Sequence, residues 1–241
     1  MNKIWTITLR ELQTFFDSLT AYILIVLFLG LSGFFTWLYG SDVFFIGQAT
    51  LQPFFSIAYW TLFFFTPALT MRMLAEENKT GTIELLLTKA VTDRQVLLGK
   101  FLACLLLIII ALALTLPYYI SIASMGPIDN GAVLSGYLGL ILLSMVYISI
   151  GLFTSSISSN QIVSFLLSLF IGAFFLIIFD ALSSNLTGSI GEILSYLSLS
   201  THFDSISRGV IDSKDVIYFL SITILGLILA EASLSKRNIV E

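Results

Sequence analysis

Arg72-Met73-Leu74-Ala75-Glu76-Glu77-Asn78-Lys79-Thr80-Gly81-Thr82-Ile83-Glu84-Leu85-Leu86-Leu87-Thr88 is a charged island between two long apolar stretches. Continued to Lys100, it holds five of the chain's eleven Lys and Arg within 29 residues. Residues 43–71 before it and 101–128 after it carry no charge, nor do residues 18–41 and 130–179. Hydrophobic residues make up 57% of the 241, charged residues only 11%, and mean hydropathy is +1.00. Soluble domains carry about 25% charged residues, and a soluble fold of this length would expose large apolar patches. The composition therefore predicts a polytopic helical membrane protein.

A helix needs about 20 apolar residues to cross a hydrocarbon core of about 30 Å. Residues 130–179 are 50 uncharged positions, about 75 Å as one helix, so they hold two crossings. The polar run Thr154-Ser-Ser-Ile-Ser-Ser-Asn-Gln161 marks the turn. The expected spans are about 19–40, 54–74, 101–123, 133–153, 162–181 and 216–234, within one transmembrane domain covering 1–241. Lys and Arg placement sets orientation. With both termini inside, only Arg208 and Lys214 of the eleven basic residues fall outside, so the termini and the island are expected in the cytoplasm of a bacterial cell. Pro67 and Pro117 are expected to kink spans two and three.

The segments between spans have patterns of their own. In residues 1–18, Trp5, Leu9, Leu12 and Phe16 form one apolar stripe, with Lys3, Thr6, Arg10, Gln13 and Asp17 opposite. This predicts an interfacial elbow helix, its marked residues being Trp5, Arg10, Leu12 and Phe16. In the island, residues 75–100, a short helix is expected to start near Thr80 or Thr82, with Gly81 allowing a turn. Thr92-Asp-Arg-Gln95 has capping-box spacing and would start the helix that becomes span three. Residues 182–215 form two short apolar-faced helices, expected as a hairpin dipping into the outer leaflet. Thr201-His-Phe-Asp204 reads as a capping box there, with Phe203 on the apolar face, Gly209 as a helix end and Asp212 with Ser213 as a cap for span six. Small residues recur at Ser164, Ser168 and Gly172, and again at Gly30 and Gly33; these faces are candidates for a subunit interface.

Several chemistries are missing from the sequence. No Walker-type loop, no nucleophile-elbow motif and no metal-spaced cluster occurs, so no catalytic or metal-binding residue is assigned. His202 is the single histidine and reads as structural or solvent-facing; Cys104 reads as a small buried hydrophobe. Few ionisable residues lie deep in the spans, which argues against an ion-driven carrier and for an outside energy source. By composition alone, the island reads rather more readily as a solvated charged loop with an accidental leucine cluster.

Six strings carry a family resemblance: Leu51-Gln-Pro-Phe-Phe-Ser56, Thr70-Met-Arg-Met-Leu-Ala-Glu-Glu77, Gly81-Thr-Ile-Glu-Leu-Leu-Leu-Thr88, Leu98-Gly-Lys-Phe-Leu102, Ser159-Asn-Gln-Ile-Val-Ser164 and Phe203-Asp-Ser-Ile-Ser-Arg-Gly-Val-Ile-Asp212. The chain resembles the ABC-2-type permeases, and within them the gliding-motility permease subunit (GldF type). The resemblance implies an all-α, type V exporter-like architecture of six spans, with an elbow helix and a re-entrant outer hairpin. It implies a membrane subunit without ATPase activity of its own, in the inner membrane, driven by a cytoplasmic ABC ATPase subunit that holds ATP and Mg. It also implies a second membrane subunit, either a larger gliding-type companion or a copy of this chain. No nucleic acid is implied. Under it, Glu76, Glu77, Lys79, Thr80, Gly81, Thr82, Glu84, Leu85, Leu86, Leu87 and Thr88 form the ATPase-coupling segment. Phe203, Asp204, Arg208, Gly209 and Asp212 belong to the outer hairpin. The competing readings are a scaffold or channel that needs no ATPase and, with less support, an intramembrane enzyme.

Overall fold

The computed structural model describes residues 3–38, 43–81, 91–186 and 188–240, and among them the secondary structure is entirely helical. Helix α1 (Lys3–Asp17) lies beside the bundle, and α2 (Leu19–Trp37) is span one. A short α3 (Val43–Ile46) leads to α4 (Gln52–Thr70), span two, which continues after a turn into α5 (Ala75–Thr80). Span three is split into α6 (Asp93–Ala113) and α7 (Leu116–Met125). Span four is the single helix α8 (Asn130–Ile157). Span five is α9 (Gln161–Ala173), a π-helical turn at Phe174–Ile178, and α10 (Phe179–Asn185). The hairpin is α11 (Ser189–Leu197) with α12 (Leu199–Ser207), and span six is α13 (Ser213–Val240). Six helical segments among the described residues are long and apolar enough to cross a membrane. Six crossings leave both termini at one end of the bundle, here called the terminal end; the opposite end is the hairpin end.

Span four is the axle. It packs against spans two, three, five and six and against α12, and it is the most buried span. Its sequence explains this position. Gly136, Gly139, Ser144, Ser149, Gly151 and Ser155 interrupt its apolar residues, and small side chains let neighbouring helices approach closely. Spans one, five and six keep broad apolar faces exposed, including Val26, Leu166, Phe170, Ile224 and Ile228, as helices facing lipid must.

The two prolines act differently from one another. Pro117 stands at the start of α7, where no N–H is needed, and the break falls just before it. Thr115 fills that break: its hydroxyl lies 2.6 Å from the Leu112 carbonyl and 2.9 Å from the Tyr137 hydroxyl. Pro67 lies in the last turn of α4, and the helix continues through it to Thr70. The interruption comes afterwards, at 71–74. There Ser155 of α8 staples the turn: its Oγ accepts from the Leu74 and Ala75 amides at 3.0 and 2.9 Å and donates to the Met71 carbonyl at 3.1 Å. Its neighbours also hold α5, since Asn78 Nδ2 donates to the Ser155, Ser156 and Ser158 carbonyls.

The hairpin sinks into the bundle. Phe203 stacks on Tyr59 with ring centres 4.8 Å apart, and both Phe203 and Ile206 lie over Gly139. Tyr59 is seven residues inside α4, roughly 10 Å from its start. Gln52 Nε2 donates to the Ser207 carbonyl at 2.6 Å and fixes the rim.

Candidate functional site

At the terminal end, three segments far apart in sequence meet on one lysine. Lys100, on α6, is 1% exposed. Its Nζ lies 2.7 Å from Glu77 Oε1 of α5 and 3.3 Å from Glu11 Oε1 of α1. The helix that carries it starts with the expected capping box: Thr92 Oγ1 accepts from Gln95 N, and Gln95 Oε1 accepts from Thr92 N. Because α6 begins at Asp93, Lys100 sits two turns inside a rigid helix that runs on as span three. The elbow packs closely on the same turn. Thr8 Oγ1 lies 3.2 Å from the Gly99 carbonyl, and any Cβ at position 99 would come within 2.6 Å of the Ile7 side chain.

The elbow's apolar stripe is divided: its first half faces away from this contact, and its second half packs against the core. Trp5, Leu9 and Arg10 are exposed, and Leu12 and Phe16 are partly buried. The packed face is a second one, carrying Ile4, Ile7, Thr8, Glu11 and Phe15, with Thr8 and Phe15 fully buried. That face was legible as Ile4, Ile7 and Phe15 at helical spacing. Neither Lys100 nor Glu11 stood out among residues 1–18 and 75–100, because their pairing joins positions 89 apart.

Of the coupling segment, Glu76, Glu77, Lys79, Thr80 and Gly81 are described; Thr82, Glu84, Leu85, Leu86, Leu87 and Thr88 lie outside the described residues. The expected helix start at Thr80 is corrected. Thr80 is the last residue of α5, its hydroxyl donating back to the Glu76 carbonyl at 2.9 Å, and Gly81 at φ 68° ends the helix. Left-handed backbone at that point favours glycine. Glu76, Lys79 and Thr80 face solvent.

Arg72 closes the corner between the elbow and span one. Its guanidinium lies 5.6 Å from the Phe15 ring centre and donates to Ser18 Oγ at 3.3 Å. At the other edge, Ser235 Oγ of α13 donates to Asp93 Oδ2 at 3.5 Å.

The proposed subunit-interface stripes are mostly used within the chain. Ser164 and Ser168 are buried, and Thr154 and Ser164 hydroxyls lie 3.5 Å apart. A Cβ on Gly172 would meet Phe63 at 3.1 Å, and one on Gly33 would meet Tyr118 at 2.8 Å. The small residues let spans four and two seat against span five, and span three against span one. Gly30 alone of the set stays open, with nothing within 4 Å.

At the hairpin end, Phe203 is buried, while Asp204 and Arg208 form an exposed ion pair at 3.9 Å. Partial burial, opposed by Arg208 and aided by Asp180, holds the Asp204 carboxyl above its usual range. Gly209, at φ 97°, ends α12, and Asp212 caps α13 by accepting from Lys214 N at 3.2 Å. Those hydrogen bonds hold the Asp212 carboxyl below its usual range. The capping box expected at Thr201 is absent: α12 starts at Leu199, after Ser198, so Thr201 lies within the helix. His202 consequently points inward. It is buried, with Nδ1 2.6 Å from Asp215 Oδ1 and Nε2 3.0 Å from the Tyr196 carbonyl, and it stacks on Tyr218 at 4.0 Å. The Tyr218 hydroxyl bonds the Leu197 carbonyl. One histidine thus ties α11, α12 and α13 together.

Among the described residues no cluster of His, Cys, Asp and Glu is arranged to hold a metal ion, and Cys104 is a buried free thiol. The arrangement at the terminal end is mechanical in kind: ion pairs and staples join the elbow, the loop helix and two spans. No curated protein matches the chain. Residues 44–231 match the family model described as ABC-2 family transporter protein, which takes in five of the six spans, the island and the hairpin. With six membrane-spanning segments and a match over most of its length, the chain belongs to the ABC-2 transporter family, as a multi-pass permease subunit of an ABC transporter that works with a cytoplasmic ATPase.

Proposed function

We propose that the Lys100 junction is the mechanical link between the ATPase and the membrane spans. The observation that carries this reading is the burial of one lysine between Glu77 of the loop helix and Glu11 of the elbow. Under this reading the terminal end faces the cytoplasm, an orientation that the Lys and Arg distribution supports, and the membrane is a bacterial inner membrane, as the family resemblance implies. Residues 76–88 dock on the ATPase, which holds ATP and Mg. A push on α5 acts through Glu77 on Lys100 and moves span three; the elbow follows through Glu11 and Thr8. The same push reaches span four through Asn78 and Ser155. Interfaces held by buried pairs switch between discrete packings rather than bending continuously, and coupling requires that ATP and the spans bias the same two states.

The finer assignment is the gliding-motility type of permease, paired with a second membrane subunit that is a larger companion or a second copy. The strings quoted above, particularly residues 203–212, support it. The test is ATP turnover in the reconstituted complex of this chain with its ATPase. Glu77→Gln, which keeps the shape and weakens the pair, is expected to lower permease-dependent turnover about tenfold while the ATPase still co-purifies. Gly81→Pro and Glu84→Arg are expected to weaken co-purification itself. Wild-type turnover and co-purification in all three variants would overturn the reading.

A further inference from the structure

The corner where the elbow turns into span one borders an open-sided cavity of about 340 Å³. This falls within the usual range of small-ligand pockets, roughly 300–1,000 Å³. Its walls come from α1, from the turn after span two, from α5 and from α6, and they carry charges of both signs. Lys100 is neutralised by Glu11 and Glu77. Arg10, Arg72 and Glu76 are not: among the described residues, none of the three forms an ion pair. Arg72 instead rests on Phe15 and Ser18, and the second carboxyl oxygen of Glu77 has no hydrogen-bond donor.

The location is the membrane interface. Ser18 is the corner itself, between an elbow helix that exposes Trp5 and Leu9 farther along its length and a span that exposes Leu19, Tyr22 and Ile23 next to the corner. An amphipathic helix of this kind lies at headgroup level. Arg72 and Glu76 both line the cavity, four positions apart across the turn, the Glu76 amide donating to the Arg72 carbonyl, so a cation and a carboxylate that do not pair with each other share one wall. A guanidinium fork suits a phosphate, and a free carboxylate suits a primary ammonium.

We infer that this corner binds the headgroup of an amine-bearing zwitterionic phospholipid, phosphatidylethanolamine being the type. Its phosphate is held by Arg72 and Arg10, and its ammonium by Glu76. The lipid thereby braces the elbow against α5 at the headgroup level. A purely anionic lipid leaves Glu76 without a partner. A choline headgroup, which has no N–H, cannot donate to it. One charged hydrogen bond corresponds to a selectivity of at least about tenfold.

The experiment is native mass spectrometry of the full-length chain in detergent with an equimolar mixture of phosphatidylethanolamine, phosphatidylcholine and phosphatidylglycerol. The expected result is retention of the ethanolamine lipid about tenfold above the other two. Glu76→Gln, at an exposed position, should abolish the preference over the other lipids, and Arg10→Gln should weaken retention of all phosphate-bearing species. Arg72→Gln should do so more strongly, and Arg72→Lys serves as the control that keeps charge next to Phe15. Equal retention of the glycerol lipid, insensitive to Glu76→Gln, would overturn the proposal in favour of a simple anion site. Equal retention of the choline lipid would reduce it to general lipid contact. Competition by soluble phosphoethanolamine as effective as the lipid itself would show that the ligand comes from solution, and would overturn the lipid assignment.

Discussion

The two ends of the bundle each bury an acid and a base, and they do so with different chemistry. At the terminal end Lys100 meets two carboxylates, Glu11 and Glu77, from helices at either side of it. At the hairpin end His202 meets one carboxylate, Asp215, and one carbonyl, with aromatic stacking over its face. Lysine is a long, flexible point charge that tolerates displacement of its partners. Imidazole is a flat ring held at two opposed nitrogens and stacked on a third group, which tolerates little. Under the proposed coupling role, the contrast predicts motion at the terminal end and rigidity at the hairpin end.

The comparison breaks most readily at Lys100. Lys100→Met leaves two partly buried carboxylates without their shared cation, and the expected cost is at or below the about 3–5 kcal/mol of breaking a fully buried pair. Thermal denaturation of the full chain in detergent should show that loss, and adding Glu77→Gln should recover part of it. Recovery identifies the pair, rather than the lysine's packing, as the source. Next comes His202→Ala, which leaves Asp215 and the Tyr196 carbonyl without their partner, at about 2–3 kcal/mol. Hydrogen exchange should then rise throughout α11 and α12 and stay unchanged in α5; a rise at α5 instead would erase the distinction between the ends. Ser155→Ala strands the Leu74 and Ala75 amides and is expected to cost about 1–3 kcal/mol, read as faster exchange confined to residues 71–78.

The smallest effect belongs to Asp204. Its carboxyl is held above the usual range mainly by burial, so ionising it works against the folded state. The associated stability is complete below the unfolded carboxylate range and is lost as pH rises on through the higher range of the folded state. Asp204→Asn should therefore stabilise the chain at neutral pH by a few tenths of a kcal/mol, the side chain being more than half exposed and screened. The gain should vanish in acid. A gain that persists at low pH would point to packing instead.

Legibility in the sequence followed the range of the interaction. The capping box at Thr92 and Gln95, the turn at Gly81 and the stop at Gly209 involve residues within a few positions of each other, and local patterns reveal them. The start of α12 escaped because Thr201 and Asp204 satisfy the capping pattern equally well within a helix that had already begun. The stripe of Ser164, Ser168 and Gly172 was legible as a close-contact face, while its partner was not: small residues permit approach by any helix, and here the approaching helices are spans two and four of the same chain.

Six apolar lengths, the polar breaks between them and the clustering of Lys and Arg were determined by composition and order alone. The reason is that a hydrocarbon layer imposes length and excludes charge irrespective of which helix stands beside which. Tertiary structure decided which charges met. Glu11, Glu77 and Lys100 are ordinary residues in three separate segments, and only the packing of the elbow against span three turns them into one buried cluster. Burial converts a weak surface attraction into one whose loss disrupts the fold, and burial is a property of the assembled bundle, not of any one segment.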